Sequence, residues 1–280
     1  MRGRSIARSS AAFIVVLIAV VAAVLYWGLR SYLTPTSTST VTSTSTTGVS
    51  TSGTTSTSSS PPAHITSTFT TSAQQLTLAD IESMPGLSET PTLGPSNSSK
   101  VIVIVYDPEC PYCALELNAT FPFLYYISAN TSQARVIFLG LPIHEYSTQM
   151  LELLDLIYNK YGAKAFAEVL DVNYAFYVHN ILLYEEGQTP QLIMPTNLTI
   201  IEIADDLGYN VTQQEASGYL GLVNSTMNFL LQHGITGTPT ILAFNGSGPP
   251  VYVQVGLVQP TYLICNLTLK LSLSVPGVSC

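Results

Sequence analysis

The stretch that decides the fold reads Val101-Ile102-Val103-Ile104-Val105-Tyr106-Asp107-Pro108-Glu109-Cys110-Pro111-Tyr112-Cys113. Its first five residues are all β-branched and apolar, a pattern typical of a strand that is buried on both faces. A short turn follows, and Pro111 then stands just inside the start of a predicted helix. The pattern therefore predicts a Cys-x-x-Cys pair at the N-terminus of a helix that follows a central strand.

A thiol at a helix N-terminus lies among unpaired N–H groups and the positive end of the helix dipole, and both favour the thiolate. The thiolate attacks disulfides, and a second thiol two residues on can close a ring and release the partner. We therefore predict a redox site with Cys110 as the exposed nucleophile and Cys113 as the shielded resolving thiol. Its only redox group would be the Cys110–Cys113 disulfide, without a separate cofactor.

Two other interpretations of the Cys-x-x-Cys pair stay open. Half of a tetrahedral zinc site has the same spacing, and the pair could also be a plain structural disulfide. A structural zinc site would need a second pair at similar spacing, but Cys265 and Cys280 are fifteen residues apart. We therefore expect no metal site.

The charge distribution argues against a nucleic-acid partner. All seventeen acidic residues stand at Asp80 or later, whereas only five of the nine basic residues lie beyond Arg30. Residues 76–280 thus carry a net charge of −12. Such a surface repels a phosphate backbone.

The amino-terminal part predicts a membrane anchor and a spacer. Residues 11–29 form an uncharged apolar run of 19, long enough for a membrane-spanning helix. More arginines precede this run than follow it, which predicts a cytoplasmic tail over 1–10 and an extracytoplasmic remainder. A cleaved signal peptide is the alternative. Residues 30–75 are rich in Ser and Thr and should form a disordered stalk.

The remainder, 76–280, should be one folded domain. Arg135–Gly140 reads as a second strand, so that strand, helix and strand make a βαβ unit with a parallel pair. Apolar residues then recur with helical spacing from about 145 to 233, which predicts a series of helices. Within this region a capping box predicts a helix from Thr212 to His233. Two strands near 240–255 and a final helix complete a βαβ, helices, ββα order.

A second motif, Gly234-Ile-Thr-Gly-Thr-Pro-Thr240, stands between a helix end and a strand start. Together with Tyr106–Cys113 and Leu141-Pro-Ile-His144, it makes residues 97–271 resemble the DsbA-like branch of the thioredoxin superfamily. The resemblance implies an α/β thioredoxin-like fold with an inserted helical domain. It also implies an extracytoplasmic enzyme that forms, reduces or isomerises disulfides in exported proteins.

The resemblance also assigns roles to single residues. Pro239 would be a cis-proline facing the disulfide, Thr238 would present its backbone to the substrate, and Pro111 and Tyr112 would adjoin the substrate and tune the redox potential. The partners would be exported proteins with cysteines and a membrane redox protein that re-oxidises or re-reduces the site. A metal-capturing or redox-inactive surface binding protein of the same fold is the alternative function.

One departure from the family pattern concerns acidic residues. Family members often carry a buried acid six residues before the first cysteine, where this chain has Ile104. Asp107 and Glu109 are expected in solvent at the helix start, where negative charge favours the helix dipole. Of the four histidines, His144 is the one that we select as a candidate for an active-site contact.

Eight of the twelve asparagines begin Asn-x-Ser/Thr sequons, which indicates an exported, glycosylated surface protein. Stable disulfides are expected in that location. Because Cys265 and Cys280 are not needed for the redox site, we expect them to form a structural disulfide. A buried free Cys265 beside an exposed Cys280 is the alternative.

Overall fold

The structure is a computed structural model and describes residues 75–280. The predicted cytoplasmic tail over 1–10, the anchor over 11–29 and all but the end of the predicted stalk lie outside the described residues. Between residues 75 and 280, no helix is both long enough and apolar enough to cross a membrane.

A five-stranded mixed sheet forms the centre of the domain, in the spatial order β1-β3-β2-β4-β5. Strands β2 and β3 are parallel, and every other neighbouring pair is antiparallel. The parallel pair confirms the predicted βαβ unit. The strands are β1 (Thr92–Leu93), β2 (Lys100–Tyr106), β3 (Arg135–Gly140), β4 (Thr240–Asn245) and β5 (Tyr252–Val255).

Helices cover both faces of the sheet, and five of them, α3 to α7, lie between β3 and β4 in the chain. A π-helical turn follows α2, and 3₁₀ turns precede β1 and α7. The helices are α1 (Leu78–Glu82), α2 (Pro111–Tyr125), α3 (Ser147–Tyr161), α4 (Ala163–Glu185), α5 (Asn197–Asp206), α6 (Gln213–Ala216), α7 (Leu220–Gln232) and α8 (Pro260–Lys270).

Strand β2 is buried on both faces, as its composition predicts. Val101, Val103 and Val105 are fully buried in a cluster with side chains of α1 and α7. Ile102 and Ile104 point to the other face, into the larger cluster formed with α2, α3, α4 and α8. Burial of each such side chain contributes about 1.5–3 kcal/mol to the stability of the fold. Strand β2 therefore fixes the position of the turn that follows it and leads to the cysteines.

Two local features differ from the prediction. The edge strand β1 was not predicted: Thr92 and Leu93 pair antiparallel with β3. Two residues are too short to show a strand period. The helix expected from Thr212 to His233 is interrupted by a 3₁₀ turn at Ser217–Tyr219. That turn contains Gly218, whose low helix propensity favours a break.

The C-terminal segment is attached to the domain at three points. A disulfide joins Cys265 on α8 to Cys280. The backbone of Ser274 exchanges two hydrogen bonds with the Gln133 side chain, at 2.7 and 2.9 Å, and Lys100 Nζ donates to the Ser272 carbonyl at 3.0 Å. The tail therefore lies against the first residue of β2 and the residues that precede β3.

Replacing Cys280 with serine should lower the free energy of unfolding by up to about 3 kcal/mol. The bridge closes a loop of 15 residues, and its loss returns the corresponding loop entropy to the unfolded chain. Urea unfolding of the full-length protein measures the effect, with Ser279→Ala as the neighbouring control. An unfolding midpoint equal to that of the wild type would show that the bridge contributes nothing.

Candidate active site

The two cysteines of the Cys-x-x-Cys pair lie at the start of α2. Cys110 is the N-cap residue in extended backbone conformation, and Pro111 occupies the first helical position, where a missing N–H costs nothing. The Cys110 carbonyl accepts the first helical hydrogen bond, from the Ala114 N–H at 3.0 Å. Cys113 follows one turn further, and both thiols are free.

Both thiols are buried: Cys110 is 2% exposed and Cys113 is fully buried. The expectation that Cys113 is shielded agrees with this, whereas the expectation that Cys110 is exposed was wrong. The loop before β4 covers the nucleophile, because the Cys110 thiol lies 3.7 Å from the Thr238 carbonyl and donates to it. A substrate must therefore approach beside that loop.

Thr238 and Pro239 are joined by a cis peptide bond directly before β4. β4 is the antiparallel neighbour of β2, so the sheet brings this loop to the cysteines across 128 residues of sequence. The Thr238 hydroxyl is buried and has no hydrogen-bond partner among the described residues. It is therefore available to donate to a thiolate at Cys110.

The site separates the acidities of its two thiols. Hydrogen bonding from the Cys113 thiol, helped by the Thr238 hydroxyl and the Cys113 amide, lowers the pKa of Cys110 to about 6 against the opposing effects of burial and Asp107. Burial and the neighbouring Cys110 raise the pKa of Cys113 well above its ordinary value. At neutral pH the pair therefore holds a thiolate at Cys110 and a proton at Cys113.

Side chains around the nucleophile leave an accessible rim. Tyr112, between the cysteines, is 57% exposed, and Pro111 is partly exposed. Ile143 and Tyr146 in the loop after β3 are exposed as well. Pro111 and Tyr112 thus stand beside the nucleophile, where a bound polypeptide would contact them.

Asp107 is buried, and the expectation that it faces solvent was wrong. Its carboxylate accepts four hydrogen bonds: from Ser147 Oγ at 2.7 Å, Glu109 N at 2.8 Å, Ile143 N at 3.0 Å and His144 Nδ1 at 2.8 Å. Two of these donors, Ile143 and His144, come from the loop after β3, which folds over the Asp107–Cys110 turn, and Ser147 is the first residue of α3. The donors replace the water that the carboxylate loses on burial.

Glu109 is also buried, again contrary to the expectation of a solvent position. Its carboxylate accepts from Tyr146 N at 2.7 Å and from Ser147 Oγ at 3.3 Å. Burial raises the pKa of Glu109. The loop after β3 therefore satisfies both acids of the turn.

Helix α4 holds the same turn from another side. Asn173 Nδ2 donates to the Pro108 carbonyl at 3.0 Å, and the Tyr174 hydroxyl donates to the Asp107 carbonyl at 3.1 Å. Both side chains are buried. The inserted helices thus contribute directly to the position of Cys110.

Glu116 is a buried acid that sequence reasoning missed. It lies on α2 one turn after Cys113, and its Oε2 accepts from Gln254 Nε2 at 2.6 Å and from Val258 N at 2.9 Å. Burial raises its pKa to about 7. A charged residue inside an otherwise apolar helix start was the available signal, whereas its partners are about 140 residues away.

Within residues 75–280, no three His, Cys, Asp or Glu side chains cluster in a way that could hold an ion. Cys265 and Cys280 are bonded to each other on α8 and the tail.

Comparison with known proteins gives a family match. The model of the thioredoxin-like domain matches residues 89–269, more than half of the chain. No curated protein sequence matches.

Several solved structures share the fold of this chain at low sequence identity. Similarity at this level is evidence for a common fold and for nothing beyond it. The thiol-disulfide exchange protein alpha-DsbA2 from Wolbachia pipientis is 13% identical, with a TM-score of 0.53 over 72% of this chain and 97% of that one. A periplasmic thioredoxin-like protein from Salmonella enterica serovar Typhimurium is 18% identical, with a TM-score of 0.51 over 71% and 99%. ScsC from Proteus mirabilis in a transitional conformation is 19% identical, with a TM-score of 0.50 over 74% and 87%.

The order of elements and the family match agree on one fold. The mixed sheet carries the predicted βαβ and ββα units, and the inserted helices lie between them. The chain therefore belongs to the thioredoxin-like domain family over residues 89–269.

Proposed function

We propose that this protein is a thiol–disulfide oxidoreductase that acts on cysteines of protein substrates. The observation that carries the proposal is the geometry at Cys110, a helix N-cap thiol that lies 3.7 Å from the Thr238 carbonyl and one turn before a second free thiol, Cys113. Hydrogen bonding from Cys113 lowers the pKa of Cys110 to about 6, which agrees with the role of nucleophile. A solved structure of the same fold, from Wolbachia pipientis, is described as a thiol-disulfide exchange protein, which supports the assignment.

In the reductive direction, the Cys110 thiolate attacks one sulfur of a substrate disulfide. A mixed disulfide forms and the other substrate sulfur leaves as a thiolate. Cys113 then loses its proton and attacks the Cys110 sulfur, so the Cys110–Cys113 disulfide forms and the substrate leaves as a dithiol. Two electrons pass from the cysteine pair to the substrate.

In the oxidative direction the same steps run in reverse. A substrate thiolate attacks Cys110 of the closed disulfide, Cys113 leaves and takes up a proton, and a second substrate thiolate displaces Cys110. Because a thiol of low pKa is the better leaving group, the acidity of Cys110 speeds this displacement and stabilises the reduced pair. The pKa of Cys110 therefore favours the oxidative direction.

The location that fits this activity is the outer side of a cell membrane. We propose that residues 11–29 anchor the chain, that its amino terminus is cytoplasmic, and that the substrates are exported proteins. All eight sequon asparagines are exposed or partly exposed, as glycosylation requires. A membrane redox protein would restore the pair after each turnover.

Protease added to intact cells should release a fragment of about residues 76–280, and protection of that fragment would contradict the proposed topology.

The activity is tested with the full-length protein in two assays, reduction of insulin and oxidative refolding of reduced ribonuclease. We expect catalysis in at least one of them, and loss of that catalysis in Cys110→Ala. The double variant Cys265→Ser, Cys280→Ser serves as the control, because its two cysteines form a disulfide outside the Cys-x-x-Cys pair and their joint replacement leaves no unpaired thiol. No activity in either assay would favour a binding protein in which the pair is only structural or captures a metal ion.

A further inference from the structure

A single histidine links the loop after β3 to the nucleophile turn. His144 Nδ1 lies 2.8 Å from Asp107 Oδ2, with the carboxylate fully buried and the histidine side chain 29% exposed. The Asp107 carbonyl in turn accepts the Cys110 N–H at 3.1 Å. Only Asp107 therefore stands between the imidazole and the backbone of the reactive cysteine.

The groups around this imidazole are acidic or neutral. Asp107, Glu109 and Cys110 face it from the turn. On α4, Tyr174 donates to the Asp107 carbonyl, and Tyr177 lies near the same three groups. Its own loop adds Glu145, which is exposed.

Among residues 75–280, no lysine or arginine bonds to those acids. Within the part of the chain that the structure describes, His144 is the only group able to carry positive charge that bonds to Asp107, Glu109 or Cys110.

We propose that His144 is a positioning residue whose protonated form offsets the charges of Asp107 and Glu109 and so keeps the Cys110 sulfur in its thiolate form. The inference deepens the proposed exchange function and rests on it. The cation comes from a loop 34 residues after Cys110 rather than from between the two cysteines.

The coupling must act in both directions. The hydrogen bond to Asp107 raises the pKa of His144, and the negative charge at Cys110 raises it further, whereas burial opposes both. By linkage, an imidazolium favours the thiolate as much as the thiolate favours the imidazolium. The benefit to Cys110 is therefore complete below the pKa of His144 and is lost as the pH rises through it.

Formation of the Cys110–Cys113 disulfide should lower the pKa of His144. When a substrate disulfide oxidises the pair, Cys110 contributes its thiolate, Cys113 releases its proton, and both sulfurs become neutral. His144 then faces one negative charge fewer and holds its proton less tightly. The reduced protein should therefore show a higher pKa at His144 than the oxidised protein.

The first test compares two replacements of His144 in the reduced full-length protein with both cysteines present, and peptide-resolved mass spectrometry assigns the modified sulfur. In His144→Asn, Nδ2 replaces Nδ1 as the donor to Asp107 but carries no charge, whereas His144→Ala removes both the donor and the charge. The readout is the rate of iodoacetamide alkylation of Cys110 against pH. We expect His144→Asn to move the midpoint upward by about half to one pH unit, as loss of a nearby opposite charge does.

The matched control is His179→Asn, on an exposed position of α4; it should leave the midpoint unchanged. If His144→Asn keeps the original midpoint, the charge has no role and the proposal is overturned, whatever His144→Ala does. Because alkylation is measured without a substrate, this result does not depend on whether insulin reduction succeeds.

The second test needs no variant. Proton NMR titration of the histidines in the reduced and oxidised wild-type protein should give His144 a higher pKa in the reduced form. Equal values in the two forms would overturn the redox linkage. Loss of exchange activity with the two pKa values still different would instead count against the proposed function alone.

Discussion

Replacing Cys113 with alanine should turn the protein into a trap for its substrates. Cys110 keeps its place at the helix N-cap and attacks a substrate disulfide, but no second thiol is present to resolve the mixed disulfide. Cys110→Ala should form no mixed disulfides, and exchange should fall to the uncatalysed rate. The buried Cys113, whose pKa is raised, cannot replace it.

Non-reducing electrophoresis of alkylated cell extracts measures the trapping, and reduction before loading serves as the control. Adducts should appear with Cys113→Ala and disappear on reduction. Their formation by Cys110→Ala at an equal level would assign the nucleophile to Cys113 and contradict the order of steps proposed here.

Replacing Glu116 with glutamine should stabilise the protein at pH 8 by about 3 kcal/mol and leave it nearly unchanged at pH 4.5. Burial raises the pKa of Glu116 from its ordinary value of 4.5 to about 7, so the folded state binds this proton more tightly than the unfolded chain. The cost of ionisation is absent below 4.5, grows as the pH rises toward 7 and is complete above it, and 2.5 pH units correspond to about 3 kcal/mol.

Glutamine is the suitable replacement because its amide oxygen can accept from Gln254 Nε2 and from the Val258 N–H, as Glu116 Oε2 does. Urea unfolding of the full-length protein at the two pH values gives the difference. Glu202→Gln, at an exposed position of α5, is the control and should show no such dependence. A Glu116→Gln effect that is the same at both pH values would mean that Glu116 is ionised in the folded protein without cost.

The parts of the site that sequence predicts are those that local patterns encode. The strand before Cys110 is recognisable because its five consecutive β-branched apolar residues place apolar side chains on both faces, and both faces must be buried. Thr238 and Pro239 stand at a helix-to-strand junction, and the strand that follows them pairs with β2. Each of these features depends on a short window of residues and on the order of the elements.

The environment of the acids could not be predicted in this way. Whether Asp107 and Glu109 face solvent depends on a loop 36 to 40 residues later, and on donors such as Ile143 N that no side-chain pattern reveals. The partners of Glu116 are further still along the chain. The local sequence shows that an acidic residue stands at the start of a helix, but the tertiary fold determines whether its carboxylate is exposed to solvent.

The pH dependence of alkylation in the reduced, full-length wild-type protein tests the central claim most directly. Peptide-resolved mass spectrometry assigns the modified sulfur at each pH. Cys110 should react with a midpoint near pH 6, and Cys113 should stay unmodified at neutral pH. Faster modification of Cys113 at neutral pH, or a Cys110 midpoint no lower than the free-cysteine value of about 8.5, would contradict the account.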